Sequence, residues 1–268
     1  MAVHVDPTAI VDPGAVLDDD VAVGPFCVVG AGAFLGRGTR LISHVSVQGN
    51  VRMGRDNVVH PNCVIGADPQ DLGYRGEPTW VVIGDGNTFR EGVTIHRATT
   101  KEHGVTRVGS NNYFMAMVHI AHDVHVGSHV IVANMTQLSG HVHVEDYAVL
   151  SGMVGVHHFA TIGRFAFVSG TTPVRTDVPP YMLAEGWPAE IRKVNVVGMR
   201  RHGFTPEEIR SVSEAHRILY RRQLAYDQAR DAIEREVPPT APVKELLAFL
   251  DRQRSGAKGR AREGRRAA

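Results

Sequence analysis

From Val108 to Val178 the chain places an aliphatic residue or phenylalanine at every sixth position without a slip: Val108, Phe114, Ile120, Val126, Val132, Leu138, Val144, Leu150, Val156, Ile162, Val168 and Val174. Four places after each comes a small or β-branched residue in nearly every case, as at Val118, Val124, Thr136, Ala148 and Thr172. Strands repeat every two residues and α-helices every 3.6, so a strict period of six fits neither alone. It fits short strands joined by corners. Residues i and i+4 then point inward, i+5 and i+1 outward, and i+2 and i+3 form the corner. Three such sides close one coil of a parallel β-helix, the fold that this repeat signals.

The same register starts at Val5 and runs through Val11, Leu17, Val23, Val29, Leu35, Leu41, Val47, Met53 and Val59 to Ile65. A polar excursion over 67–82 interrupts it, and Ile83 returns eighteen residues after Ile65, which predicts one coil replaced in phase. A second interruption, 97–107, shifts the register by one residue before Val108. Excursions from a solenoid are surface loops and often carry function. The first, with Gln70-Asp71 and Arg75, is read as functional; the second is left open between function and plain insertion. The β-helix is therefore assigned to 1–180, ending at Pro179-Pro180-Tyr181. Thr205-Pro206-Glu207-Glu208 then supplies an N-cap, a proline at the first helical position and an acid at the third. With further helical segments at 225–237 and 242–250, residues 181–250 read as a small helical domain, so the class is mainly β with an α-helical C-terminus. The basic tail, 251–268, lacks apolar periodicity and is expected to be disordered and solvated rather than a binder of nucleic acid or anionic lipid.

Charge and composition exclude several classes. A formal charge of +1 gives no field that would recruit nucleic acid. No apolar run is long enough to span a bilayer, and the first residues lack the features of a signal peptide, so a cytoplasmic location is expected. Cys27 and Cys63 both fall at inward i+4 places two coils apart. At ~4.8 Å per rung they sit ~10 Å from each other, beyond the ~7 Å reach of a disulfide, and read as small core residues.

Fifteen histidines are the chemical signal. His119, His125 and His143 fall at i+5, His96 and His157 at i+1, His122 at i+2 and His141 at i+3, so none is predicted to point into the barrel. The plain alternative is a solvated outer wall. Stacking one coil on the next sets Asp123 beneath His141 and His122 beneath Gly140. An imidazole beside a carboxylate, facing a backbone without a side chain, supplies a general base, an orienting acid and an accessible N–H, which are the parts acyl transfer needs. Clustered histidines also suit a metal. However, the five-residue histidine pair of zinc-binding hexapeptide carbonic anhydrases is missing, so neither metal nor other cofactor is expected. No serine or cysteine is placed as a nucleophile.

Several strings then carry a resemblance: Gln70-Asp71-Leu72, Gly76-Glu77-Pro78, Thr94-Ile95-His96-Arg97, His119-Ile120-Ala121-His122-Asp123, Leu138-Ser139-Gly140-His141-Val142, Asp177-Val178-Pro179-Pro180-Tyr181 and Arg200-Arg201-His202-Gly203-Phe204. In this order, from about Val5 to Leu250, they resemble the UDP-N-acetylglucosamine 3-O-acyltransferases that open lipid A biosynthesis. The resemblance implies a left-handed β-helix and a homotrimer with sites between subunits. It also implies transfer of an (R)-3-hydroxyacyl chain from acyl carrier protein to the sugar 3-hydroxyl of UDP-N-acetylglucosamine. His122 matches the general base, Asp123 its orienting acid, and Gly140 the amide donor to the oxyanion. Asp71, His119, His141, His157, Asn195 and Arg201 match substrate contacts, to which His96 and His158 are added as candidates. Gly170 matches a site that gauges acyl length, where glycine implies a long chain. Gly73, His158, Val197 and His202 depart from the residues common in the family. The alternatives are a sibling acyltransferase acting on the 3-amino sugar or using acetyl-CoA, and a non-catalytic scaffold.

Overall fold

A computed structural model describes residues 2–264. Most strands are only two residues long and stack in parallel into three faces, so every third strand of the chain lies on the same face. Along the second face Ile120 pairs with Leu138, Leu138 with Val156 and Val156 with Val174, one coil apart each time. The hexapeptide positions i and i+4 are buried along almost the whole stack, including Ile120, Val124, Leu138, Val142, Leu150 and Val156 at no more than 1% exposure. Each rung covers the apolar side of its neighbour, which is how a solenoid of two-residue strands holds together. In the first described rung, His4–Val5 pairs with Ala22–Val23 on one side, and Val5 at its i place is exposed.

The corners have their own regularity. The i+3 residue adopts a left-handed backbone at Asp123, His129, Met135, His141, Tyr147, Met153, Phe159, Phe165 and Thr171, with φ between 55° and 65°. Non-glycine residues enter that region at a cost. Contacts between rungs offset it: His129, Tyr147 and Phe165 stack in a column with centroids 4.7 Å apart, and His141 stacks on Phe159 at 4.4 Å.

The two excursions are narrower than predicted, because Trp80–Ile83 and Val105–Val108 are already strands; the loops occupy 68–79 and 97–104. The in-phase replacement of a coil is also corrected. Ile83 pairs with Met53 rather than Ile65, and Ile120 pairs with Ile95 across the second loop. Both loops are insertions between a strand of the second face and the next strand of the third face, so they emerge at one corner of the prism. Arg97 ties them together by donating to Gly66 O at 2.5 Å and to the Tyr74 hydroxyl at 3.1 Å, and by pairing with Asp68. Lys101 of the second loop pairs with Asp71 of the first.

The β-structure continues beyond 180. Met182–Glu185 runs parallel to Phe167–Val168, then turns back antiparallel as Glu190–Val194. Helix α1 (Val196–Arg201) follows, capped by Asn195, and α2 (Pro206–Arg221) begins on the capping box of Thr205 and Glu208. Helices α3 (Tyr226–Glu236) and α4 (Ala241–Arg254) complete a packed helical unit around Ile218, Ile233, Leu246 and Phe249. The expectation of disorder from 251 is not met over 251–264. The chain leaves α4, returns across the β-helix and ends in the short α5 (Ala261–Gly264). Charge pairing orders it: Lys258 pairs with Glu145, and Glu263 sits 2.7 Å from His158 Nε2. The last four tail residues, 265–268, lie outside the described residues. Cys27 and Cys63 are free and buried, and burial pushes the Cys63 thiol up to about 11.

Candidate active site

The corner that carries both loops also carries the residues singled out from the histidine pattern. The strand His119–Ile120 lies on the second face, and the chain turns through Ala121, His122 and Asp123 before resuming on the third face at His125. Because Asp123 takes the left-handed corner conformation (φ 60°), its carboxylate folds back beside His122 instead of pointing to solvent. Asp123 Oδ2 lies 2.9 Å from His122 Nδ1. Asp123 is 1% exposed, whereas the His122 side chain keeps 14%. An anionic oxygen at Nδ1 selects the tautomer with the proton there, which leaves Nε2 free to accept one.

Gly140 occupies the same corner one rung away. A Cβ on it would stand 2.5 Å from His122 Cε1 and 2.8 Å from Nε2, so the imidazole occupies the space that a side chain at 140 would take. His141 N donates to His122 O at 3.1 Å, which locks the two rungs. The Gly140 amide has no acceptor among the described residues. The His141 ring meets His122 edge-on at 5.2 Å, with Glu102 of the second loop 3.3 Å from its Nδ1. His119 Nδ1 lies 2.7 Å from Thr94 Oγ1, and His96 packs edge-on against the His119 ring at 5.0 Å.

Electrostatics follow burial. Desolvation lowers the pKa of His96 and drives His119 and His141 down to about 4, so all three are neutral near pH 7. His96 and His141 are buried although neither points into the barrel; His141 lies between the second loop and the tail segment. Burial alone would raise the Asp123 carboxyl, but hydrogen bonds from His122 and Thr99 outweigh it and hold the group below its ordinary value. Asp71 is likewise held low, first by Lys101 and then by the Gly73 amide. Among the described residues His122, Asp123 and His141 are the set whose potential ligand atoms lie within 4.8 Å of one another, and the closest pair is already a hydrogen bond.

A model of UDP N-acetylglucosamine O-acyltransferase domain 2 matches residues 177–258. The acyl-[acyl-carrier-protein]–UDP-N-acetylglucosamine O-acyltransferase of Thermodesulfovibrio yellowstonii is 43% identical over 253 residues, 94% of this chain and 98% of that protein. Its namesake from Halorhodospira halophila is 44% identical over the same shares. The chain belongs to the acyl-[acyl-carrier-protein]–UDP-N-acetylglucosamine O-acyltransferase family. Crystal structures agree: the UDP-N-acetylglucosamine acyltransferase LpxA of Bacteroides fragilis superposes with a TM-score of 0.89 at 34% identity, covering 91% of this chain and 95% of that one. LpxA of Acinetobacter baumannii gives 0.87 at 40% identity, with 91% and 94% covered. The β-helix is accordingly left-handed.

Within this acyltransferase chain the structure gathers His96, His119, His122, Asp123, Gly140 and His141 at one corner, with Asp71 on the adjoining loop. His157 and His158 continue that corner two coils above His122, where the tail covers them: Arg260 contacts His157, and Glu263 holds His158. Other candidates lie elsewhere. Asn195 donates to Phe165 O at 2.9 Å and caps α1, which sets it at the corner between the third and first faces. Arg201 is exposed at the end of α1, and exposed Gly170 lies at the corner between the first and second faces. Sequence reading missed Thr99, Lys101 and Glu102, which have no period, and Arg260 and Arg262, which read only as tail charge.

Proposed function

We propose that this chain transfers an (R)-3-hydroxyacyl group from acyl carrier protein to the 3-hydroxyl of UDP-N-acetylglucosamine, the first step of lipid A biosynthesis, with His122 as general base. His122 Nε2 takes the hydroxyl proton as the sugar oxygen attacks the thioester carbonyl. The Gly140 amide stabilises the tetrahedral oxyanion, and the proton then passes to the departing thiol. Asp123 orients the imidazole and stabilises its charged form. The observation that supports this reading is the close approach of the His122 ring to Gly140, where a Cβ would stand 2.5 Å from Cε1, since acyl transfer needs a base and a backbone N–H beside one carbonyl.

The reading assigns substrate contacts to Asp71, His96, His119, His141, His157 and His158, with Asn195 and Arg201 toward the nucleotide and Gly170 along the acyl chain. One chain spreads these over three corners of a prism. A homotrimer that sets the corners of neighbouring subunits against each other would unite them, so the reading includes sites shared between subunits. It also includes a cytoplasmic location, where acyl carrier protein is charged; no described helix is long and apolar enough to cross a membrane. Incubation with UDP-N-acetylglucosamine and a set of acyl carrier thioesters, read by mass spectrometry, is the test. An alkali-labile ester is expected, lost by ~10²–10⁴ in rate in His122→Ala with the melting temperature retained. Near-normal turnover by that variant would overturn the base assignment, and activity with acetyl-CoA alone would overturn the donor.

A further inference from the structure

A carboxylate orients an imidazole only if the carboxylate is itself held. The two oxygens of Asp123 are chemically equivalent, and the terminal torsion of an aspartate is broad. Something must decide which oxygen faces His122. Inside the site the asymmetry is plain. Oδ2 receives His122 at 2.9 Å and also both donors of Thr99, its amide at 3.0 Å and its hydroxyl at 2.7 Å. Oδ1 is buried with no hydrogen-bond partner among the described residues. The Asp123 backbone is held separately, its amide donating to Thr106 Oγ1 at 2.9 Å.

Thr99 does not belong to the repeat. It sits 4% exposed in the 97–104 loop, whose emergence at the His122 corner brings it against Asp123. Its hydroxyl also accepts from Lys101 N at 3.2 Å, which fixes the turn that presents Lys101 to Asp71. Two donors from one residue, converging on the oxygen that His122 uses, restrict rotation of the carboxylate and favour its anion.

We propose that Thr99 is a positioning residue of the acyl transfer, which pins the Asp123 carboxylate so that one oxygen stays on His122 Nδ1. This rests on the reading of His122 as the base and Asp123 as its orienting acid. It gives the second loop a catalytic reason to lie where it does.

The test is a double-mutant cycle with kcat, KM for UDP-N-acetylglucosamine and melting temperature measured for each protein. Thr99→Val removes the hydroxyl but keeps the amide and the shape. Loss of this hydrogen bond to a charged group predicts about a tenfold fall in kcat, with KM changed less than about twofold. Thr99→Ser, which restores the hydroxyl, should regain most of that loss. In an Asp123→Ala background, or Asp123→Asn if the alanine protein does not fold, Thr99→Val should change kcat less than about twofold, because its effect passes through the missing carboxylate. The same fold-loss in both backgrounds would show a merely structural role and overturn the proposal. So would an unchanged kcat in Thr99→Val, or a rise in KM alone, which would trace its effect to Lys101 and Asp71. If Asp123→Ala itself keeps normal kcat, the orienting role of Asp123 fails first, and the proposal falls with it.

Discussion

Replacing Gly140 with alanine adds one carbon where the structure has an imidazole. The backbone there is not in the left-handed region, so alanine carries no conformational penalty and the coil should form normally. The added Cβ would lie 2.5 Å from His122 Cε1, against the ~3.5 Å at which carbon atoms come to rest. The ring must therefore move by about 1 Å, either away from the acyl carbonyl or off Asp123 Oδ2. A misplacement of about 1 Å at a reacting group costs roughly 10² in rate, or about 3 kcal/mol of transition-state stabilisation. Because the amide of residue 140 remains, the loss would report on the imidazole and not on the oxyanion donor. The assay is single-turnover acyl transfer at saturating donor and acceptor, beside thermal unfolding by circular dichroism. A Gly140→Ala protein with more than half of normal turnover and an unchanged melting temperature would refute the claim that this contact sets the position of the base.

Two further outcomes are expected. Gly170→Met places a side chain on an exposed corner where the nearest atom to a Cβ is Gly152 O at 3.3 Å, and product analysis with carriers of graded length should shift toward shorter chains; unchanged preference would remove Gly170 as a length gauge. Burial pushes His143 down to about 3, with Arg262, His125, Lys258 and His141 facing it, while the unfolded chain titrates near ~6.5. Below that value the unfolded state binds protons that the folded state refuses, so stability falls with falling pH between about 6.5 and 3. Melting temperature measured from pH 7 to 5 should decline less steeply in His143→Gln, and less steeply in a chain ending at Arg254, which lacks the Arg262 contact to His143 at 2.9 Å. Equal slopes in all three proteins would show that His143 is not a source of the decline.

How far the chain could be read in advance depended on periodicity. Val126, Leu138 and Val156 announce their faces because an inward aliphatic in a repeat has only one place to go. The corner position of His122 and its stacking with Gly140 come from the same count. Counting fails where chain is inserted: Ile83 keeps step with Ile65 in sequence yet lies on the next face, because the spacing fixes which side of a strand points inward but not which wall the strand belongs to. Thr99 was illegible because its partner is 24 residues away across an irregular loop. The tail misled in the opposite sense. Arg260 and Arg262 carry no apolar pattern, and their order depends on acceptors such as Asp177 and the carbonyls of His141 and Phe159, which only the folded wall assembles.

Both insertions leave the ladder at a single edge. Because every rung bonds only to the rungs above and below it, extra chain paid out there leaves the pitch and the other two walls untouched. That edge is consequently where a descendant of this protein could lengthen or trade a segment at least risk to its architecture, and it is also the edge that holds His122. New recognition can thus be tried beside an unchanged proton acceptor.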